Sequence, residues 1–137
     1  MRNYIVISHA YMAQGVVSSI KMIAGEQIQI DYICGYVDGN ENLELKVREK
    51  LDSLDQNQEI IIFTDLFGGS ANNAVLRVAG KRNNVHIIAG MNLALILGII
   101  FSPEEGDIEI IIRDGIEEAK SGIVHCNTLK NKELEEF

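Results

Sequence analysis

The sequence has 137 residues, of which 47% are hydrophobic and 23% are charged, and its formal net charge at pH 7 is −8. This length and composition exclude a disordered chain and predict one globular domain, residues 1–137, large enough to bury a full core. The acidic charge and the scattered basic residues argue against a nucleic-acid partner, because phosphate backbones are bound by clustered Lys and Arg.

The sequence shows no pattern typical of a disulfide framework, a zinc site or a membrane span. Cys34 and Cys126 lie far apart and form no CxxC pair, as is usual in a reducing compartment. The longest mostly apolar stretch, residues 90–101, is much shorter than the roughly 20 residues that a bilayer span requires. The apolar run at the start is too short for a signal peptide. We therefore expect a cytoplasmic protein without a metal or cofactor.

The first two predicted βα units occupy residues 4–54. Residues 4–8 are continuously apolar, which is typical of a strand buried on both faces. Residues 12–25 and 40–54 have helical patterns, and residues 27–34 between them predict an outer strand. The inward stripe predicted for the first helix consists of Met12, Val16, Val17, Ile20 and Ile23, with Gly25 as its C-cap.

The next two units follow the same order. Residues 59–64 predict a central third strand, residues 65–70 form a loop, and residues 71–81 predict a helix. Residues 84–90 contain a fourth strand, and residues 91–101 predict an apolar helix.

Residues 106–122 fit two structures. The letters "IEIII" favour a strand locally, but Asp107 could cap a helix at its start and Gly122 could end it. Helical spacing relates Ile108, Ile111, Ile112, Ile116 and Ala119 over more than three turns. We predict a helix here, and a short last strand over residues 123–126.

Four βα units in succession predict an α/β fold, a three-layer, doubly wound, mainly parallel sheet with right-handed crossovers. For a sheet this small we expect the strand order 2-1-3-4. Strands 1 and 3 are then neighbours whose connections leave in opposite directions. A crevice should open there, at the carboxyl ends of the strands.

Residues suited to chemistry cluster at that predicted crevice. His9 ends the first strand, and Asp65 follows the third strand together with Gly68, Gly69 and Ser70. Each has an ordinary alternative: a single histidine is usually a solvated loop residue, an aspartate can cap a helix, and a glycine pair can make a turn. Their coincidence at one edge of the sheet favours a functional site.

Phosphoryl transfer through histidine fits these residue types. A neutral imidazole is a good nucleophile, and the ordinary histidine pKa of about 6.5 leaves it mostly neutral at pH 7. Asp65 could bind one ring N–H of His9, orient the ring and stabilise the charge that grows during attack. Backbone N–H groups of Gly68, Gly69 and Ser70, before a helix start, could bind the phosphoryl oxygens.

The remaining candidates have weaker functional signals. His86 and His125 lie inside predicted strands, which favours packing or surface roles for both. Tyr11 and Met12 follow His9 closely, and they could belong to the core or form an apolar rim around the site, which is the role we favour for Tyr11.

The sequence resembles the IIA component of the mannose-type (mannose, fructose, sorbose) sugar phosphotransferase system, PTS. The resemblance extends over nearly the whole chain, through "IVISHAYMAQGVVSSIKMIAG", "TDLFGGSANN", "AGMNLALIL" and "EEAKSGI". It implies a phosphotransferase in which His9 accepts a phosphoryl group from HPr and passes it to a IIB component, while Asp65 orients His9. Membrane components IIC and IID would be indirect partners.

The resemblance also implies a homodimer in which a C-terminal strand, here residues 123–126, can pair antiparallel with the sheet edge of the other subunit. This chain departs from the family pattern at several positions. Ala10 stands where glycine is usual, and Asn72 stands where an apolar Phe is usual. Ala71 and Ala94 replace prolines near helix starts, where alanine is acceptable. We expect the change at Asn72 to affect the choice of partner more than the transfer chemistry.

Other functions share parts of this pattern. A response-regulator receiver would need acidic residues after strand 1, where this chain has Ser8 and His9. A flavodoxin-like module would need a phosphate loop there. A phosphoryl-transfer subunit of a dihydroxyacetone kinase should differ in the "DLFGGS" loop. A regulatory IIA-like module, phosphorylated to signal and not to feed transport, would share every site residue.

Overall fold

The computed structural model describes residues 2–131 and 135 and contains four strands and five α-helices within them. In chain order the elements are β1 (Arg2–His9), α1 (Met12–Ala24), β2 (Ile30–Gly35), α2 (Leu43–Asp52), β3 (Glu59–Thr64), α3 (Ser70–Ala79), β4 (Val85–Ile88), α4 (Leu93–Ile100) and α5 (Ile108–Ser121). A short 3-10 turn, Cys126–Thr128, follows α5. The predicted alternation of strands and helices is confirmed.

The sheet has the predicted order β2-β1-β3-β4, and every described pair of strands is parallel. In the pairing of β1 with β3, Ile7 lies opposite Thr64, the last residue of β3. In the pairing with β2, His9 lies opposite Gly35. The carboxyl ends of these three strands therefore meet at one edge of the sheet, which confirms the predicted switch point.

Helices cover both faces of the sheet, and this explains the continuous apolar runs of β1 and β3. Alternate residues of a strand point to opposite faces. Tyr4 and Val6 of β1 belong to the core beneath α1, α4 and α5, whereas Ile5 and Ile7 belong to the core beneath α2 and α3. Since both faces are buried, neither strand has a position for a polar stripe.

The inward face predicted for helix α1 is confirmed at its centre and wrong at both ends. Val17 and Ile20 are buried and Val16 packs against the core. Met12 and Ile23 are exposed, and Ala13 is buried in addition. The Ala13 N–H donates a hydrogen bond of 2.7 Å to Ser8 Oγ, which fixes the start of the helix against the end of β1. The small side chain thus takes the inward position, and Met12 turns toward solvent beside His9.

Helix α5 is confirmed at both ends. The Asp107 side chain accepts a 2.9 Å hydrogen bond from the Glu109 N–H, and Gly122 is the C-cap. Ala119 is buried. The predicted packing residues Ile108, Ile111, Ile112 and Ile116 lie half-buried against the α1–α4 side of the core.

The short strand predicted over residues 123–126 does not form in the single chain, and this prediction is corrected. Residues 123–125 have no regular structure, and the 3-10 turn begins at Cys126. Ile123 and Val124 are exposed. A strand needs a neighbouring backbone to accept and donate its ladder hydrogen bonds, and this segment pairs with neither sheet edge. Its pairing with a second subunit stays a prediction.

Across the part of the chain that the structure describes, none of the helices combines the length and the apolar character needed to cross a bilayer. The longest helix, α5, has 14 residues and carries several charges.

Candidate functional site

The parallel pairing of β1 with β3 brings His9 and Asp65 into direct contact. His9 Nδ1 lies 2.7 Å from Asp65 Oδ2. The same carboxylate oxygen accepts the His9 backbone N–H at 2.7 Å, and Oδ1 accepts the Leu66 N–H at 2.9 Å. Three contacts therefore fix this carboxylate at the end of the sheet, as the sequence predicted for these two residues.

The hydrogen bonds around Asp65 keep it ionised. Burial by itself would raise the pKa of this carboxyl, whose side chain is 10% exposed, but the N–H groups of His9 and Leu66 more than offset burial and lower the pKa below 3.8. An ionised carboxylate only accepts hydrogen bonds, so the hydrogen-bond network assigns the ring hydrogen of His9 to Nδ1. In the neutral ring, Nε2 is then left with its lone pair.

The free nitrogen of His9 faces the start of helix α3. Nε2 lies 2.9 Å from Ser70 Oγ, and the His9 side chain remains 43% exposed. Because Nε2 has no hydrogen in this tautomer, the Ser70 hydroxyl donates to it. The site thus combines a fixed ring, an accessible lone pair and the N-terminus of a helix, whose first N–H groups lack partners within the helix.

The glycine pair shapes the loop that joins Asp65 to Ser70. Gly68 has φ +77°, a left-handed conformation that side chains rarely adopt. A Cβ on Gly69 would lie 3.2 Å from the Leu66 carbonyl oxygen and 3.6 Å from His9 Cε1. The Gly68 N–H donates to Asn72 Oδ1 at 3.1 Å, and the Gly69 N–H donates to the Leu66 carbonyl at 3.0 Å. Both N–H groups already have partners within the loop, so phosphate binding by these two amides stays a prediction.

Asn72 supports this loop from inside the protein. Its side chain is 2% exposed, accepts from the Gly68 N–H and donates to Thr64 Oγ1 at 2.9 Å. The Phe expected from the resemblance is thus replaced by a buried polar bridge between β3 and the loop. Because the side chain does not reach the surface, it is not positioned to contact a partner protein directly.

Ala10 occupies a turn that favours glycine. Its φ is +49°, in the left-handed region, and its N–H donates to the Gly35 carbonyl at 3.0 Å. This geometry explains why the resemblance predicts glycine after the histidine. Ala10 therefore keeps this turn between β1 and α1 at some cost in backbone strain.

Tyr36 belongs to the site, although it is not among the residues predicted from the sequence. It follows β2, its hydroxyl donates to Ser70 Oγ at 2.9 Å, and its ring centroid lies 5.4 Å from that of His9 at an interplanar angle of 43°. The strand order contained a usable signal, because the end of β2 must lie beside the end of β1. An aromatic residue just after β2 was therefore a candidate neighbour of His9.

Exposed apolar side chains lie beside His9. Met12 and Leu66 are exposed and line the same depression as His9, and the exposed Phe67 follows Leu66 in the loop after β3. Tyr11 is exposed as well, and its hydroxyl donates to Asp38 at 3.2 Å, which supports its assignment to the rim. An open depression of about 440 Å³ is lined by His9, Met12, Asp65, Leu66, Gly90 and Met91.

The other two histidines lie in different environments. His86 sits within β4, and its Nε2 lies 2.6 Å from Glu59 Oε2. His125 is exposed and precedes the 3-10 turn. Among the described residues, no group of three or more His, Cys, Asp or Glu side chains is arranged to hold a metal ion.

Comparison with known proteins identifies the family of this chain. Residues 3–114 match the family model described as "PTS system fructose IIA component". A curated relative, the PTS system mannose-specific EIIAB component of Escherichia coli K12, is 24% identical over 131 residues, which are 93% of this chain and 39% of that protein. This chain thus spans about two fifths of the length of that relative.

Solved structures share the architecture. A Klebsiella pneumoniae protein described as a phosphoenolpyruvate-dependent sugar PTS permease has a TM-score of 0.86 and 34% identity, covering 93% of this chain and 92% of its own. The mannose/sorbose specific IIA subunit from Enterococcus faecalis has a TM-score of 0.79 and 24% identity, covering 94% and 95%. At that identity the second comparison supports the fold alone.

Proposed function

Because this chain belongs to the family of the PTS system fructose IIA component, we propose that it is a phosphoryl carrier in which His9 is the residue phosphorylated. HPr would donate the phosphoryl group, and a IIB component would receive it for sugar uptake. The proposal rests above all on one observation: Asp65 holds Nδ1 of His9 at 2.7 Å, while Nε2 keeps its lone pair on an exposed ring.

In the proposed reaction, the lone pair of His9 Nε2 attacks the phosphorus of a phosphohistidine on HPr. The new P–N bond forms as the old one breaks, and the electron pair of the old bond returns to the donor imidazole. The hydrogen on Nδ1 stays in place, and Asp65 stabilises the positive charge that the ring acquires. Transfer to IIB follows the same steps in reverse.

The groups beside Nε2 suit an incoming phosphoryl group. The Ser70 hydroxyl can turn from Nε2 to a phosphoryl oxygen, since a hydroxyl rotates to suit its partner. The N-terminus of α3 lies behind Ser70, and helix N-termini favour anions. The exposed apolar residues around His9 would exclude water when a partner docks.

Labelling from phosphoenolpyruvate through enzyme I and HPr tests the proposal. We expect one phosphorylated residue, acid-labile and alkali-stable, and no label on His9→Ala. His86→Ala is the matched control and should label normally, because His86 lies within β4. Label on His9→Ala, or no label on the wild type with a cognate HPr, would contradict the assignment.

Onward transfer distinguishes transport from regulation. The labelled protein should lose its phosphoryl group to a cognate IIB component within the mixing time of the assay. Retention of the label would overturn the carrier role and favour a regulatory IIA-like module. The homodimer and the cytoplasmic location remain predictions that accompany this proposal.

A further inference from the structure

We propose that Tyr36 is a positioning residue for transfer at His9, acting through the Ser70 hydroxyl. The inference rests on the proposed function and adds a residue to it. Tyr36 Oη lies 2.9 Å from Ser70 Oγ, which itself lies 2.9 Å from His9 Nε2. The three side chains form a continuous hydrogen-bonded chain that ends on the nitrogen proposed to carry the phosphoryl group.

The donors and acceptors in this chain run in one direction. Asp65 requires a hydrogen on His9 Nδ1, so Nε2 accepts. Ser70 has a single hydroxyl hydrogen and donates it to Nε2, so Ser70 Oγ must accept from the Tyr36 hydroxyl. Tyr36 therefore holds Ser70 Oγ as an acceptor and directs the Ser70 hydrogen toward the reaction centre.

This arrangement has a consequence for phosphorylation. Phosphorus can reach Nε2 only when the Ser70 hydrogen leaves the lone pair. With Tyr36 still donating to Ser70 Oγ, that hydrogen can turn onto a phosphoryl oxygen while the oxygen of Ser70 keeps its place. Without the Tyr36 hydroxyl, Ser70 is free to rotate away, and the donor is no longer preorganised.

The backbone around Tyr36 indicates that the loop holds this side chain in place, so its contact with Ser70 is not incidental. Tyr36 has φ +68°, a left-handed conformation that is a genuine outlier for a bulky residue. Its N–H donates to the Asn40 carbonyl at 3.0 Å, and Asn40 Nδ2 donates to the Cys34 carbonyl at 3.0 Å. The loop after β2 is therefore braced in a strained form that sets the Tyr36 ring beside His9.

The test measures the rate of His9 labelling by phospho-HPr in Tyr36→Phe, which keeps the ring and removes only the hydroxyl. We expect the rate to fall about threefold to tenfold, the usual range for one neutral hydrogen bond. Tyr32→Phe is the matched control, because Tyr32 is an exposed tyrosine within β2, and its rate should equal that of the wild type.

A double-mutant cycle separates positioning through Ser70 from a general structural effect. If Tyr36 acts through Ser70, the double variant Ser70→Ala/Tyr36→Phe should label no more slowly than Ser70→Ala alone. A wild-type rate for Tyr36→Phe, or independent effects of the two changes, would overturn the inference while labelling of His9 stands. An unlabelled wild type would instead overturn the proposed function.

Discussion

His9 and His86 both place a ring nitrogen within 2.7 Å of a carboxylate oxygen, yet their surroundings differ in every other respect. At His9 the carboxylate is fixed and the ring is accessible: Asp65 is 10% exposed and His9 is 43% exposed. At His86 the order is reversed, with 44% exposure for Glu59 and 13% for the histidine. A carboxylate–histidine contact alone therefore does not define a reactive site.

The second ring nitrogen makes the larger difference. Nε2 of His9 faces the Ser70 hydroxyl at the start of a helix, a neighbour that can turn away or donate to an anion. Nδ1 of His86 faces the Glu109 carboxylate at 3.6 Å, which would repel a phosphoryl group. We infer that phosphorylation of a histidine requires one ring nitrogen to be held and the other to be accessible beside groups that stabilise negative charge.

The largest expected effect that tests this contrast is the change in labelling rate when the carboxylate beside each histidine is replaced. Asp65→Asn should slow labelling of His9 by about 10²-fold to 10⁴-fold, because an amide neither enforces the Nδ1–H tautomer nor stabilises a positive ring. Glu59→Gln is the matched change at His86 and should leave the rate within about twofold. Equal rates for Asp65→Asn and the wild type would remove Asp65 from the site.

The second effect concerns stability. His86→Ala should lower the free energy of unfolding by about 1–2 kcal/mol, since it removes a mostly buried ring between β3 and α5. His9→Ala should change it by less than about 0.5 kcal/mol, because backbone N–H groups still bind Asp65. Urea unfolding of both variants measures the difference. A larger loss for His9→Ala would reverse our assignment of structural and reactive roles.

Substitution by glycine should have opposite effects on stability at Ala10, which follows β1, and at Ala89, which follows β4. Ala10→Gly should raise the free energy of unfolding by about 1 kcal/mol, because glycine adopts the left-handed conformation of this turn without strain. Ala89, after β4, has no left-handed φ, so Ala89→Gly should lower stability by about 0.5–1 kcal/mol. Thermal melting measures both changes. A fall in stability for Ala10→Gly would show that the turn is unstrained.

The smallest effect is on acid stability. Asp65 has a pKa below its ordinary value of 3.8 in the folded protein, so its contribution to stability is complete above that value and is lost as the pH falls through the folded pKa. The difference in unfolding free energy between the wild type and Asp65→Asn should therefore narrow below about pH 4. Urea titrations between pH 3 and pH 7 measure it. A difference that widens with acid would mean that the pKa is raised.

Sequence patterns were sufficient for the four parallel strands, the five α-helices and the central pair of the site. Strand β3 was predicted with its observed bounds, and α5 was correctly assigned as a helix from its spacing and caps. The predicted strand order placed His9 and Asp65 close together, because neighbouring parallel strands end at the same edge of a sheet. These predictions use local periodicity and a topological rule, and both are properties that a linear sequence carries.

Other features depended on contacts that periodicity does not contain. At the start of α1, Ala13 and not Met12 lies inward, and the Ser8 hydroxyl anchors the Ala13 N–H there. Asn72 turned inward because Thr64 and the Gly68 N–H offer it partners in the interior. Residues 123–126 have strand-forming composition, but composition cannot supply the neighbouring backbone that a strand requires.

The sequence by itself determined that this is a parallel α/β chain with a histidine and a carboxylate at the switch point, because those conclusions follow from hydrophobic patterning and chain order. Only the tertiary structure decided which ring nitrogen of His9 is held, that Ser70 faces the other one, and that Tyr36 completes the chain of hydroxyls. Such assignments depend on hydrogen-bond distances of about 3 Å between residues far apart in sequence, and only folding sets those distances.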